Sequence, residues 1–284
     1  MIFLGISPRY AREVLAAVTR IIGLLYLCSI VGCSTISYWM YGNPDFDIES
    51  VLRRTDFRWK TDTLSSLIFC YSEGSYAARY VDSMQSRAQR SYAAVLGKLK
   101  IRSYRDKIYV FPLDSRRLIE RLIGLNDADG AAFPEKGVVC YLFNEHEKAD
   151  GPHEFAHVVS ENVWGKPASP ERWIGEGLAV YCDGKWQGAA LDSICRTLYK
   201  QGGLLPLKEL IFRFADHSEL ITYPEAGCFV RFLWETYGID AVKEIWKHGT
   251  MTIERVTGKD LKELQLEWNG WLLAPNTRRL GSGG

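Results

Sequence analysis

Two stretches decide the fold of this chain: residues 152–159, PHEFAHVV, and residues 173–181, WIGEGLAVY. The first contains His153 and His157 with Glu154 between them, in the pattern HExxH. On a helix, residues four apart lie on one face, one turn apart. Two imidazoles at that spacing can bind one zinc ion, with the carboxylate of Glu154 beside them.

The residues around the first stretch favour a helix over residues 152–163. Asp150 is a residue type that commonly caps helices, and Pro152 suits a first helical turn, where its missing N–H has no cost. Phe155 and Val158 provide an apolar face to bury. We therefore predict that both imidazoles project from one helix.

The second stretch supplies a third ligand. Glu176 follows His157 after 18 residues and lies among apolar residues, where an unpaired carboxylate would be costly. A predicted helix over residues 170–182, capped by Ser169 and started by Pro170, would carry it. Because a catalytic zinc site needs three protein ligands and an open position, Glu176 completes the set.

These motifs resemble the gluzincin metallopeptidases, the clan with HExxH and a distant glutamate that includes thermolysin. The resemblance rests on residues 152–159 and 173–181, and extends more weakly over about 55–275. Residues 137–143, GVVCYLF, match the edge strand that lines the substrate cleft in such folds. Residues 223–238 resemble the helix that follows the metal-binding helices.

The resemblance implies zinc-dependent hydrolysis of a peptide or protein substrate by a metal-activated water. His153, His157 and Glu176 would bind Zn²⁺, and Glu154 would be the general base. Tyr223 would donate a hydrogen bond to the oxyanion, since related enzymes use a tyrosine after the third ligand. An aromatic residue that packs on the core is an equal alternative for Tyr223.

Three further positions bear on the resemblance. Asp183 follows Glu176 by seven residues on nearly the same helix face, and could orient a ligand histidine or lie in solvent. Gly175 stands where many relatives have asparagine. Residues 130–134, GAAFP, lack the acidic residue with which related aminopeptidases bind a substrate N-terminus, so endopeptidase and exopeptidase activity both stay open.

The hydrophobic pattern predicts an α+β fold, with a small mixed α/β N-terminal half followed by a helical half. The resemblance implies that this fold is zincin-like, with an edge strand over the active-site helix. The predicted organisation is a signal peptide at 1–33, a tether at 34–55, an α+β subdomain at 56–149, zinc-binding helices at 150–184, a helical subdomain at 185–275 and a flexible tail at 276–284.

Individual elements follow from apolar periodicity and turn residues. Strands are predicted at 57–60, 64–71, 107–112 and 137–143. Helices are predicted at 75–99, 115–123, 152–163, 170–182, 189–200, 207–214, 224–237, 240–247 and 259–273.

The N-terminus has the layout of a secretory signal. Arg9, Arg12 and Arg20 precede an apolar run at residues 21–31, which is too short to span a bilayer comfortably. The segment resembles a bacterial lipoprotein signal in which Cys33 becomes the lipidated first residue. That resemblance implies a membrane-anchored protein of the bacterial cell envelope. An uncut signal anchor and a plain hydrophobic first helix are the alternatives.

Composition excludes one class of partner. The 284 residues include 35 basic and 34 acidic side chains, for a net charge of +1. A nucleic-acid-binding protein needs a basic excess to neutralise phosphates, so no nucleic-acid partner is expected.

The cysteines show no CxxC pair, which makes a cysteine zinc site unfavourable. Those after residue 33 lie mostly in apolar stretches and are interpreted as buried free thiols, although export would permit disulfides. The seven cysteines are Cys28, Cys33, Cys70, Cys140, Cys182, Cys195 and Cys228.

Two alternatives to peptide hydrolysis stay open. The chain could be a non-catalytic envelope lipoprotein that binds zinc for stability. It could also be a zinc hydrolase of a non-peptide amide or ester.

Overall fold

A computed structural model describes residues 46–125, 128–168 and 172–274. Several predicted features lie outside the described residues: the signal peptide with Cys33, most of the tether, the cap Ser169, the helix-starting Pro170 and the tail. Within the three described ranges, no helix is both long and apolar enough to cross a membrane.

The described chain has mixed helix and strand content, with most strands in its first half. The helices are α1 (Ile48–Leu52), α2 (Tyr76–Arg79), α3 (Val81–Lys98), α4 (Arg116–Ile123), α5 (Pro152–Trp164), α6 (Arg172–Asp183), α7 (Leu191–Lys200), α8 (Leu207–Phe212), α9 (Glu219–His248), α10 (Ile253–Thr257) and α11 (Leu261–Leu273). Single 3₁₀ turns lie at Pro134–Lys136, Phe214–Asp216 and Thr250–Thr252. This content confirms mixed α and β structure and is compatible with the α+β class.

A five-stranded sheet forms the first half, in the order β1-β2-β3-β5-β4. The middle strands β2, β3 and β5 run parallel, whereas β1 and β4 pair antiparallel at the two edges. The strands are β1 (Trp59–Leu64), β2 (Leu67–Ser72), β3 (Ile108–Leu113), β4 (Gly130–Phe133) and β5 (Val138–Leu142), and a separate hairpin pairs β6 (Lys185–Trp186) with β7 (Ala189–Ala190).

Helices cover both faces of the sheet, so alternate residues of its inner strands enter two different cores. In β5, Val138 and Cys140 face a smaller core beneath α1 and α4. Val139 and Tyr141 face a larger core that includes α3 and α5 and continues into the helical half. Helix α5 therefore lies directly on the sheet.

The predicted edge strand is wrong. Residues 137–143 contribute β5, which pairs with β3 on one side and β4 on the other. The edge that packs against α5 is β4, Gly130–Phe133. Its four residues, three of them small and none β-branched, are too few to show a strand pattern.

Two boundary predictions also need correction. The tether prediction extended too far, because Phe46 and Val51 are buried in the smaller core and α1 begins at Ile48. The helix predicted over 75–99 is two helices, interrupted at Tyr80, whose backbone (φ −127°, ψ 40°) is not helical.

The second half contains a disulfide between Cys195 of α7 and Cys228 of α9. The interpretation of these two residues as free thiols is therefore wrong. Their spacing in the sequence did not indicate that their helices pack together. Cys70, Cys140 and Cys182 are buried free thiols, as expected.

Candidate metal centre

Helix α5 carries HExxH as predicted, but it starts differently. Its N-cap is Gly151, in the left-handed conformation at φ 74°, and Pro152 occupies the first turn. Asp150 is not the cap; its carboxylate pairs with Arg87 at 3.7 Å. Glycine suits position 151 for two reasons. It adopts the left-handed conformation without strain, and a Cβ there would lie 2.9 Å from the ring of Tyr141.

Helix α6 carries Glu176 and is held tightly against α9. A Cβ at Gly177 would lie 2.7 Å from the carbonyl oxygen of Ala226, and one at Gly227 would lie 2.6 Å from Cγ1 of Val180. The two glycines therefore let the helix backbones approach closely. That contact fixes the position of Glu176, the neighbour of Gly177.

The three predicted ligands converge. Nε2 of His153 lies 3.2 Å from Nε2 of His157, and Oε2 of Glu176 lies 3.3 Å from the first nitrogen and 3.5 Å from the second. A tetrahedral site with bonds of about 2.0–2.1 Å separates its ligand atoms by about 3.3–3.4 Å. These three residues could therefore hold one metal ion.

The burial of Glu176 also fits a cation. Its side chain is 1% exposed, its Oε1 has no hydrogen-bond partner among the described residues, and its Oε2 faces the two imidazole nitrogens. Buried carboxylates are normally paired or bound to a metal. By comparison, the His153 side chain is 13% exposed, so the cluster is most open to solvent on the His153 side.

The Glu176 carboxylate and the imidazole of His157 each shift the pKa of the other. Burial opposes ionisation of Glu176, yet the positive charge of His157 and of His153 holds its pKa well below the ordinary range. Burial by itself lowers the pKa of His157, but the Glu176 carboxylate overrides this effect and raises that pKa to about 9. The carboxylate thus favours positive charge in this space, whether as a proton or as a metal ion.

Glu154 lies beside the ligands and is itself buried. Burial raises its pKa, and the charges of His153 and His157 oppose that shift. Its Oε2 has no hydrogen-bond partner within the part of the chain that the structure describes, while its Oε1 lies against Gly130 at the start of β4. Glu154 is therefore a second buried carboxylate at the centre.

Tyr223 is also brought to the centre, within an aromatic cluster. The ring of Tyr223 is fully buried and lies 4.7 Å from Trp186, 5.4 Å from Phe214 and 6.4 Å from His153, between ring centroids. Its hydroxyl accepts a long hydrogen bond, 3.5 Å, from Nη2 of Arg172. The aromatic contacts match the interpretation of Tyr223 as a residue that packs on the core. Its proximity to His153 is compatible with the alternative role as a hydrogen-bond donor to the oxyanion.

Two more carboxylates interact with the charges of the histidines. Burial raises the pKa of Asp183, at the end of α6, and the charge of His153 opposes that shift. Burial likewise raises the pKa of Glu161, and the charge of His157 opposes that shift. The remaining histidines contribute nothing to the cluster: His146 and His248 are exposed, and His217 lies 3.4 Å from Glu209.

Some neighbours of the centre were missed from the sequence. Glu161 follows His157 by four residues, a spacing that could have indicated it. Gly130, Trp186 and Arg172 come from three other segments, and no local pattern links them to the ligands. Their proximity depends on the packing of the sheet edge, the hairpin and α6.

Comparison with known proteins does not add a family. No protein-family model matches the chain, and no curated protein matches it.

Proposed function

We propose that this protein is a zinc-dependent peptide hydrolase. His153, His157 and Glu176 would hold the metal, Glu154 would be the general base, and the fold would be zincin-like. The observation that carries the proposal is the mutual spacing of 3.2–3.5 Å among the three ligand atoms, beside a second carboxylate, that of Glu154, which is not a ligand.

The donor set favours zinc in a catalytic site. Two imidazoles and one carboxylate are typical of hydrolytic zinc centres, which keep a fourth position for water or substrate. A purely structural site has no use for a buried base, so the presence of Glu154 supports catalysis. When bound, zinc would supply Lewis acidity that polarises the scissile carbonyl and acidifies a water.

Glu154 would handle the protons of the reaction. Burial raises the pKa of its carboxylate above that of an ordinary glutamate. A raised pKa suits a group that takes a proton from the attacking water and delivers it to the leaving amine. Burial also keeps bulk water from Oε2 of Glu154. Tyr223, near His153, is the proposed hydrogen-bond donor to the developing oxyanion.

The proposed location is the bacterial cell envelope, with the domain anchored through lipidated Cys33. The Cys195–Cys228 disulfide supports this part of the proposal, because disulfides persist in oxidising compartments outside the cytosol.

The test compares wild type with Glu154→Gln for zinc content and for hydrolysis of an unbiased peptide library. We expect about one zinc ion per chain in both proteins and a rate lower by about 10²–10⁴-fold in the variant. Glu145→Gln, at an exposed position, is the matched control and should retain wild-type activity. Zinc binding without hydrolysis of any peptide, or full activity in Glu154→Gln, would contradict the proposal.

A further inference from the structure

Gly130, the first residue of the edge strand β4, lies against the carboxylate of Glu154, the candidate general base. As a glycine it places only backbone there. A Cβ built on Gly130 would lie 2.5 Å from Oε1 of Glu154, 3.1 Å from its Cδ and 3.0 Å from the carbonyl oxygen of Cys140. Real Cβ atoms essentially never approach within 3.0 Å of such atoms. A methyl group at this position would displace the carboxylate by at least about 0.5 Å.

The need for glycine here is one of space. Gly130 does not have a positive φ, so residues other than glycine could adopt its backbone conformation. The atoms that exclude a side chain are chiefly those of the Glu154 carboxylate. In addition, Oε2 of Glu154 has no hydrogen-bond partner in the described part of the chain, so no hydrogen bond there holds that oxygen in place.

From this contact we infer that Gly130 is a positioning residue for Glu154. The bare backbone at the start of β4 sets where the carboxylate lies relative to the metal ligands. This inference rests on the proposed function for its catalytic meaning, because Gly130 acts through Glu154 and not on the substrate. The contact itself is independent of any activity.

The first test measures the contact without activity. Gly130→Ala is made in wild type and in Glu154→Ala, and the urea midpoint of unfolding is measured for all four proteins. We expect Gly130→Ala to lower the midpoint in wild type and to lower it by less than half as much once the carboxylate is gone. Equal shifts in both backgrounds would overturn the inference, since Cys140 rather than Glu154 would then be the obstacle.

Gly130→Ala by itself could prevent folding. Recovery of folding in the Gly130→Ala, Glu154→Ala double variant would then support the inference. Failure of both proteins to fold would contradict it.

The second test asks what the displacement does to catalysis. A shift of about 1 Å in a reacting group can lower rates by about 100-fold, so we expect Gly130→Ala to lower kcat by about 10- to 100-fold with KM and zinc content near wild type. Gly97→Ala is the control, because a Cβ at Gly97 meets nothing within 4 Å. An unchanged kcat would contradict the positioning role. An inactive wild type would refute the proposed function alone, and the unfolding cycle would still decide the contact.

Discussion

Two regions of the molecule each bury a glutamate almost completely, and they differ in what surrounds it. Glu176, between α5 and α6, is 1% exposed and lies within 3.5 Å of two imidazole nitrogens. Glu225 of α9 is 0% exposed, and its oxygens accept a hydrogen bond only from the backbone N–H of Leu205, at 3.1–3.3 Å, among the described residues.

The same burial gives opposite charge states in the two regions. At Glu225, burial raises the pKa to about 8, with only the Leu205 N–H opposing it. At Glu176, the charges of His157 and His153 overcome burial and keep the carboxylate ionised. A buried glutamate by itself therefore does not indicate a metal site. The convergence of other donor atoms on it does.

The largest effect should come from removing a ligand. Glu176→Gln leaves the shape of the side chain but removes its charge. We expect zinc affinity to fall by more than about 100-fold, because loss of a residue that only supports a ligand already lowers metal affinity by about 10- to 100-fold. Competition with a chelator dye measures this. Wild type should also gain about 4 kcal/mol of stability when zinc is at about 1,000 times its Kd, and Glu176→Gln should gain little.

Glu225→Gln is the matched control for that experiment, because it makes the same chemical change at an equally buried glutamate. We expect it to bind zinc with wild-type affinity. Equal loss of zinc affinity in both variants would break the comparison between the two regions.

A smaller effect should appear in the pH dependence of stability. Glu225 has a folded pKa of about 8 against 4.5 as its ordinary value, so between these values the folded protein holds a proton that the unfolded chain has released. Stability from this group is therefore full below about pH 4.5 and is lost as pH rises to about 8, with a limiting slope of about 1.4 kcal/mol per pH unit.

Glu225→Gln should remove that slope and keep an acceptor for the Leu205 N–H. Urea unfolding of zinc-saturated protein between about pH 5.5 and 8 measures the difference from wild type. The exposed Glu145→Gln should retain the wild-type slope. A slope unchanged in Glu225→Gln would show that Glu225 is already ionised in the folded protein at neutral pH.

The smallest effects should come from the helix crossing that joins the two regions. Gly177, next to Glu176, contacts Ala226, next to Glu225, and Gly177→Ala should lower the unfolding free energy by about 1–3 kcal/mol through overpacking. Gly175→Ala should raise it by about 0.5–1 kcal/mol, because a Cβ there meets nothing within 4 Å and alanine favours a helix. Thermal or urea unfolding distinguishes the two signs.

Features set by neighbours along the chain were predictable from the sequence. The helices that carry His153, His157 and Glu176 follow from apolar periodicity and from Pro152. The N-cap was wrongly assigned to Asp150, whose carboxylate pairs with Arg87, whereas Gly151 takes the left-handed conformation at the cap. The edge strand was misassigned because strand order depends on pairing between distant segments, and β4 is too short to show a pattern.

By itself, the sequence determined that His153 and His157 share one helix face with Glu154 beside them, because the helical repeat fixes the direction of residues four apart. Only the tertiary structure decided that Glu176 meets them at 3.3–3.5 Å, that Glu154 lies against Gly130, and that Glu225 is buried without a counter-ion among the described residues. Those relations join segments that are far apart in the chain. They depend on how closely helices and strands pack, which no local periodicity encodes.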